Sequence, residues 1–418
     1  VGQKIKLYGH VLHLRDLGKV RFVILRTFDG VAQVVLKKNS VSEDIWKRFE
    51  ELGYEYFVEV VGEKVESKIA KLGWEVHAED LKIVAKSKTV PIDLADKTTT
   101  EFPTRLRYRY LDIRREPVRS ILKVRASVVQ AAREFLVERG FVELHFPIIC
   151  GTASEGGAEL FPVKYFDRQA YLVQSAQLYK QSAIPVFGKV FTVGPSFRAE
   201  KSRTKKHLTE FWQIDVEAAL ISKEELMKLQ FELVKHIYAR VAERNEKELS
   251  ALGVKLEVPE SYDVLSYEEA LEVIRKKGLP IEWGEDFGAD EERALCESFD
   301  KPFFVTEFPE KVVAFYYMVD DDDPRYAHRV DMYGWGSYGV EWSSGGLREH
   351  RPDRLRKRMK EKGLNPENFA WYLDMLEYGF PPHAGFGMGV ERLLYSMLKL
   401  ERVHEAVLYP RTPDVLEP

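Results

Sequence analysis

Over the first ninety residues, apolar and β-branched side chains gather in five short runs, several of them alternating with polar residues. The runs are residues 4–14, 20–27, 31–37, 56–67 and 78–86. Alternation buries one face of each strand, so such a chain must pair its strands around a common interior. Asp29-Gly30 marks a hairpin turn between the second and third runs. Ser42 is placed to cap a short helix over 43–52, ended by Gly53, between the third and fourth runs. Five strands with a helix after the third are the layout of an oligonucleotide-binding barrel, expected here for residues 1–90.

The texture then changes. Residues 91–116 are polar and aperiodic at their start and read as a linker. Pro117 opens an amphipathic helix with Ile121, Val124, Val128, Phe135 and Leu136 on one face, stopped by Gly140. Ser222-Lys-Glu-Glu225 is a capping box before a second long helix. Short apolar runs at 170–173, 190–194 and 211–216 read as strands. Strands mixed with long helices without regular alternation predict an α+β domain over 117–418. A chain of 418 residues has room for two or three domains.

Composition excludes several classes. No run approaches the eighteen apolar residues of a membrane helix. Cys150 and Cys296 are the only cysteines, too few for a disulfide framework or a zinc site, and they suit a reducing cytoplasm. The net charge of −4 does not advertise a nucleic-acid partner. Six arginines between 105 and 119 (105, 107, 109, 114, 115 and 119) read either as a solvated connector or as a contact to a phosphate backbone.

There is no Walker loop and no dinucleotide glycine fingerprint, so a nucleotide must be held another way. Three segments offer one. Residues 140–147, ending at Pro147, turn from a helix into a strand. Phe197-Arg198-Ala-Glu200 precedes a basic loop with Arg203 and His207, then Glu210-Phe211. Gly385-Phe-Gly-Met-Gly-Val-Glu-Arg392 is a glycine-rich strand leading into a helix. An arginine on a strand can fork onto a phosphate, and a carboxylate two residues along shares its face. An aromatic offers a stacking surface, and spaced glycines allow close backbone approach. Singly, each has a plainer reading as a surface ion pair or as close packing.

Their order resembles motifs 1, 2 and 3 of the class II aminoacyl-tRNA synthetases. The detail is similar to the aspartyl/asparaginyl group of archaeal type, through Glu155-Gly-Gly-Ala-Glu-Leu-Phe161, Gln174-Ser-Ala-Gln-Leu-Tyr-Lys180, Arg198-Ala-Glu-Lys-Ser-Arg-Thr204, Glu341-Trp-Ser-Ser-Gly-Gly-Leu-Arg348 and Pro381-Pro-His-Ala-Gly-Phe-Gly387. The resemblance implies an antiparallel catalytic sheet flanked by helices, ATP and tRNA as substrates, and magnesium. It implies that Arg198 and Arg392 are catalytic, with Arg198 on the α-phosphate, Glu200 and Phe211 on the adenine, and Arg203, His207 and Arg392 on the outer phosphates. Asp331, Glu341 and Ser344 would place magnesium. Glu155, Ser175, Gln177 and Asp215 would surround the amino acid's ammonium group and backbone, with Lys180 and Arg348 on its side chain. Pro147 would lie in a homodimer interface, and Arg15, Phe22 and Gln33 would read the anticodon. Phe22 also suits the barrel's core.

The resemblance divides over the amino acid. Lys180 beside a neutral amide would be a costly unpaired charge, so Lys180, Gln213-Ile-Asp215 and residues 343–350 point to aspartate and tRNA(Asp), with tRNA(Asn) a further acceptor. Lys201-Ser-Arg-Thr204, Thr209-Glu-Phe-Trp212 and Pro410-Arg-Thr-Pro413 look asparaginyl-like. Two other classes are an asparagine synthetase built on the same catalytic domain and a non-catalytic RNA-binding paralogue. The first lacks a barrel; the second has no need of Arg198, Glu200, Glu341, Ser344, Arg348 and Arg392 together.

Overall fold

A computed structural model describes residues 3–70, 72–152, 159–201 and 204–418. The chain divides into two compact units, Val1–Asp93 with Thr98–Thr100, and Leu94–Lys97 with Glu101–Pro418.

In the first unit, strands β1 (Gln3–Asp16), β2 (Val20–Arg26), β3 (Val31–Lys37), β4 (Phe57–Glu66) and β5 (Trp74–Ala85) close a barrel in the order β1-β2-β3-β5-β4. Alternation works as expected: Val23, Leu25, Val34, Leu36, Val58, Val60 and Val76 are fully buried inside. The β2–β3 turn closes through the Thr27 amide donating to the Gly30 carbonyl at 2.8 Å, with Gly30 at φ +148°. The helix Glu43–Arg48, capped by Ser42, continues into a 3₁₀ turn whose Phe49 joins the barrel core. β5 begins at Trp74 rather than Ala78, because residues 75–77 pair in parallel with residues 33–35 of β3, a partner that a lone run does not reveal.

The second unit is built on an eight-stranded sheet. Its strands are β6 (Val142–Glu143), β10 (Lys189–Phe197), β11 (Glu210–Ala219), β12 (Asp263–Ser266), β13 (Phe303–Pro309), β14 (Tyr326–Tyr333), β15 (Glu341–Leu347) and β16 (His383–Gly389), in the order β12-β13-β14-β15-β16-β11-β10-β6. A three-stranded sheet is formed by β7 (Ile149–Cys150), β8 (Pro162–Tyr165) and β9 (Arg168–Leu172). The six inner strands of the large sheet are antiparallel, and only its outer pairs, β12–β13 and β6–β10, are parallel. On one face, Val216, Val330 and Phe386 pack with side chains of the helices Glu116–Glu138, Lys223–Arg244 and Val390–Leu398. The other face carries the polar residues described below.

Residues 91–116 are not a free linker. From Leu94 most of them belong to the second unit, with short helices at Phe102–Arg107 and Arg109–Asp112. Three of the six arginines turn inward onto one fully buried carboxylate. Arg105 Nε, Arg109 Nη1 and Arg115 Nη1 lie 2.8, 2.6 and 3.1 Å from Asp112. Arg109 also donates to the carbonyls of Glu405, Val407 and Leu408, and Arg115 to those of Ala95 and Asp96. These side chains fasten the segment and are not available to a phosphate backbone.

Candidate active site

Strand register assembles the site. Asp331, Ser344, Gly387 and Asp215 are successive partners across β14, β15, β16 and β11. Two residues along, Arg329, Gly346, Gly385 and Glu217 form a parallel row. Side chains two apart share a face, so both rows lie on the face opposite the apolar core. The glycines clear the middle of the rows. A Cβ at Gly385 would come within 2.0 Å of Glu217 Oε2, and one at Gly387 within 3.1 Å of Asp215 Oδ1.

Above this floor is a cavity of about 410 Å³, within the range of small-molecule sites. It gathers Ser175, Gln177, Arg198, Glu200, His207, Phe211, Asp215, Glu341, Ser344 and Arg392, residues drawn from segments scattered over more than half of the chain. Arg198, just past the end of β10, lies with its guanidinium carbon 5.4 Å from the Phe211 ring centre, and its Nη1 is 3.8 Å from Glu200. His207 Nε2 is 3.6 Å from Glu200, and burial lowers the His207 pKa against the pull of that carboxylate. Arg392 Nη1 donates to Glu341 Oε1 at 3.1 Å, linking the helix after β16 to the start of β15.

Three expected residues lie beneath the cavity wall. Lys180, on the helix Gln177–Ser182, is fully buried and has three acceptors: Asp215 Oδ1 at 3.0 Å, the Phe386 carbonyl at 3.1 Å and Glu217 Oε2 at 3.4 Å. Arg348 Nε donates to Glu217 Oε1 at 3.0 Å, while its buried Nη1 has no hydrogen-bond partner among the described residues. The same guanidinium lies over Tyr316 and Tyr317, 5.3 and 4.9 Å from the ring centres. Burial works against the Glu217 charge, but Arg348 and Lys180 outweigh it and hold its pKa below the usual range. Lys180 is therefore paired within the chain and does not depend on a ligand's carboxylate: two cations balance two carboxylates. Asp331, the third, is fully buried, and burial together with nearby Glu341 pushes its pKa up to about 7 although Arg329 opposes the rise.

Pro147 is exposed outside this cavity, followed by Ile148 and Ile149, which are 42% and 45% exposed. Arg15, Phe22 and Gln33 share one outer patch of the barrel: Arg15 pairs with Phe22, and Gln33 pairs with Ile24 two residues along. Phe22 is half-buried while its neighbour Val23 is fully buried, so Phe22 is not a core residue. Gln33 donates to Glu75 Oε2 at 2.8 Å. Glu155 and Arg203 lie outside the described residues.

The site also holds residues that the sequence reading missed. Glu217 follows Asp215 by two on the same strand, a spacing that signals a shared face. Tyr317, whose hydroxyl is 3.2 Å from Ser344 Oγ, and Arg329 and Asp286, which line the cavity, had no local signal.

The sequence pattern of the family described as tRNA synthetases class II (D, K and N) matches residues 101–413. The chain belongs to that family. Asparagine–tRNA ligase and aspartate–tRNA(Asp) ligase of Pyrococcus abyssi are each 42% identical to it, over 100% of this chain and 96% and 97% of theirs. Asparaginyl-tRNA synthetase from Pyrococcus horikoshii, solved with asparaginyl-adenylate, superimposes with a TM-score of 0.94 at 41% identity, covering 100% of this chain and 96% of that one. The synthetase is thus an ATP-binding ligase that acts on tRNA in protein biosynthesis. Among the described residues, no helix is long and apolar enough to cross a membrane.

Proposed function

We propose that this synthetase activates aspartate with ATP and transfers it to the 3′ end of tRNA(Asp), with tRNA(Asn) as a further acceptor. The observation that carries this reading is the buried Nη1 of Arg348, a cationic donor without an acceptor among the described residues, beside a second buried cation, Lys180. A carboxylate supplies acceptors only; an amide brings two N–H groups toward groups that themselves donate. Asparagine is the second reading. Its support is that the Lys180 donors are already matched and that relatives named for asparagine are as similar as those named for aspartate.

No protein nucleophile is required. The amino acid's carboxylate attacks the α-phosphorus, pyrophosphate leaves, and a terminal ribose hydroxyl of the tRNA then takes the acyl group from the adenylate as AMP leaves. Arg198 meets the α-phosphate, Phe211 stacks on the adenine, Glu200 accepts from its amino group, and Arg392 and His207 face the outer phosphates with Arg203. Asp215 and Gln177, with Ser175 and Glu155, hold the ammonium and backbone. Among the described residues no group of three or more His, Cys, Asp or Glu gathers as a metal cage, which suits magnesium, an ion that takes one or two carboxylates and completes its shell with phosphate oxygens and water. The Glu341 carboxylate and Ser344 hydroxyl, both on the cavity wall, would hold it. Bound there, it would neutralise charge on the triphosphate.

The exposed Pro147-Ile-Ile149 segment supports a homodimer interface, checked by the mass in solution at micromolar concentration. Arg15, Phe22 and Gln33 form an anticodon-reading patch, and the cytoplasm is the compartment where such a ligase works. Amino acid-dependent ATP–pyrophosphate exchange, run with aspartate and asparagine side by side, tests the substrate. Exchange with aspartate is expected. Exchange with asparagine alone would replace this reading by the second.

A further inference from the structure

Arg329 lines the cavity, yet the chemistry above gives it no task. It stands on β14 two residues before Asp331, and its guanidinium meets both carboxylate oxygens, Nε with Oδ1 at 3.1 Å and Nη2 with Oδ2 at 2.6 Å. Its remaining nitrogen, Nη1, is 3.3 Å from Asp286 Oδ2, and its centre lies 4.3 Å from that of the Phe308 ring. Three neighbouring groups therefore fix one side chain that is only 11% exposed. Of the three residues expected to hold magnesium, Glu341 and Ser344 face the cavity and Asp331 does not. A divalent ion reaching Asp331 would have to displace the guanidinium or sit in contact with a charge that never deprotonates.

We infer that Arg329 takes the place of a divalent cation at Asp331. It is a positioning residue that occupies this carboxylate and supplies a fixed positive charge to the cavity wall, leaving Glu341 and Ser344 as the metal-holding pair. The inference rests on the reading of the cavity as the ATP site.

The test counts metal rather than product. Manganese(II) is titrated, with free ion followed by electron paramagnetic resonance, into the full chain saturated with a methylene analogue of ATP that cannot be cleaved. Asp331→Asn should leave the number and affinity of bound ions within about twofold, whereas Glu341→Gln should weaken binding by about tenfold or more. Arg329→Ser should gain an ion, because it frees a buried carboxylate. Asparagine keeps the shape of Asp331 and still accepts from Arg329, so the outcome does not depend on how well Arg329→Ser folds. A loss of about tenfold or more in manganese affinity in Asp331→Asn, with the analogue still bound, would overturn the inference. Failure of the unaltered chain to bind the analogue at all would instead overturn the ATP-site reading, and the inference with it.

Discussion

Replacing Lys180 by leucine tests both the stability and the selectivity of the site. The lysine is fully buried, and its three donors are matched by Asp215, Glu217 and the Phe386 carbonyl. Leucine fills much of the volume but strands a buried negative charge. Removing one partner of such a pair costs about 3–5 kcal/mol, and the low end applies because Glu217 keeps Arg348. Burial of the leucine side chain returns about 1.5–3 kcal/mol, for a net loss of at most about 1.5 kcal/mol. The same change turns a balanced cluster into one of net −1, which opposes an incoming carboxylate and not an amide. Loss of one charge-assisted interaction, about 1.5–3 kcal/mol, raises the KM for aspartate by about ten- to hundredfold. Urea unfolding reads the first effect. ATP–pyrophosphate exchange at saturating ATP, with aspartate and asparagine varied in turn, reads the second. An aspartate KM within twofold of the parent, with stability unchanged, would refute the pairing argument.

Three further outcomes are expected. Phe22→Ala should raise the KM for tRNA by about ten- to hundredfold, as loss of one stacking contact implies, while amino acid activation is spared; loss of both would mean that the barrel patch is structural. Asp112→Asn leaves three convergent guanidinium groups without their carboxylate, and thermal or urea unfolding should show a loss of about 3–5 kcal/mol. His383 donates through Nδ1 to the Pro381 carbonyl and accepts from Gln181, which in turn accepts from Tyr372, and burial pushes its pKa down to about 4 although Glu217 and the Pro381 carbonyl oppose the fall. The folded state then binds fewer protons than the unfolded chain between pH 4 and 6.5. The His383 contribution, about 3 kcal/mol, is whole above pH 6.5 and is lost as the pH falls toward 4. Stability of His383→Gln should fall less steeply across that window, and identical slopes would contradict the assignment.

Much of this architecture was legible because it follows from short-range rules. The barrel's strands declare themselves by alternation, and Ser222 caps a helix through a reciprocal pair with the glutamate three residues on. The direction of charged side chains was not legible. Arg105, Arg109 and Arg115 carry the same local signature whether they face a phosphate backbone or Asp112, and only the packing of residues 94–116 against the second unit decides. Phe22 presents the opposite case. Its apolar ring suited a core, yet the phase of β2, fixed by Val23 and Leu25, turns it outward.

Amino acid identity is hard to read here for a related physical reason. A buried lysine points to aspartate only where it needs the ligand to neutralise it. Asp215 and Glu217 already do so, and they can reach Lys180 and Arg348 because Gly385 and Gly387 leave the floor open: any side chain at 385 would occupy the space of the Glu217 carboxylate. With the cluster balanced, selectivity depends on the pattern of donors left over, and a change in its net charge adds to that. In the described site that remainder is the Arg348 Nη1, which donates to either ligand's oxygen, so discrimination falls on the second atom of the side chain, oxygen or NH₂. A few hydrogen-bond vectors separate the two outcomes, consistent with equal identity to relatives named for each amino acid. It follows that exchanging charge in this cluster, as in Lys180→Leu, should shift preference between the two amino acids far more than exchanging residues of the asparaginyl-like periphery such as Lys201 or Thr209.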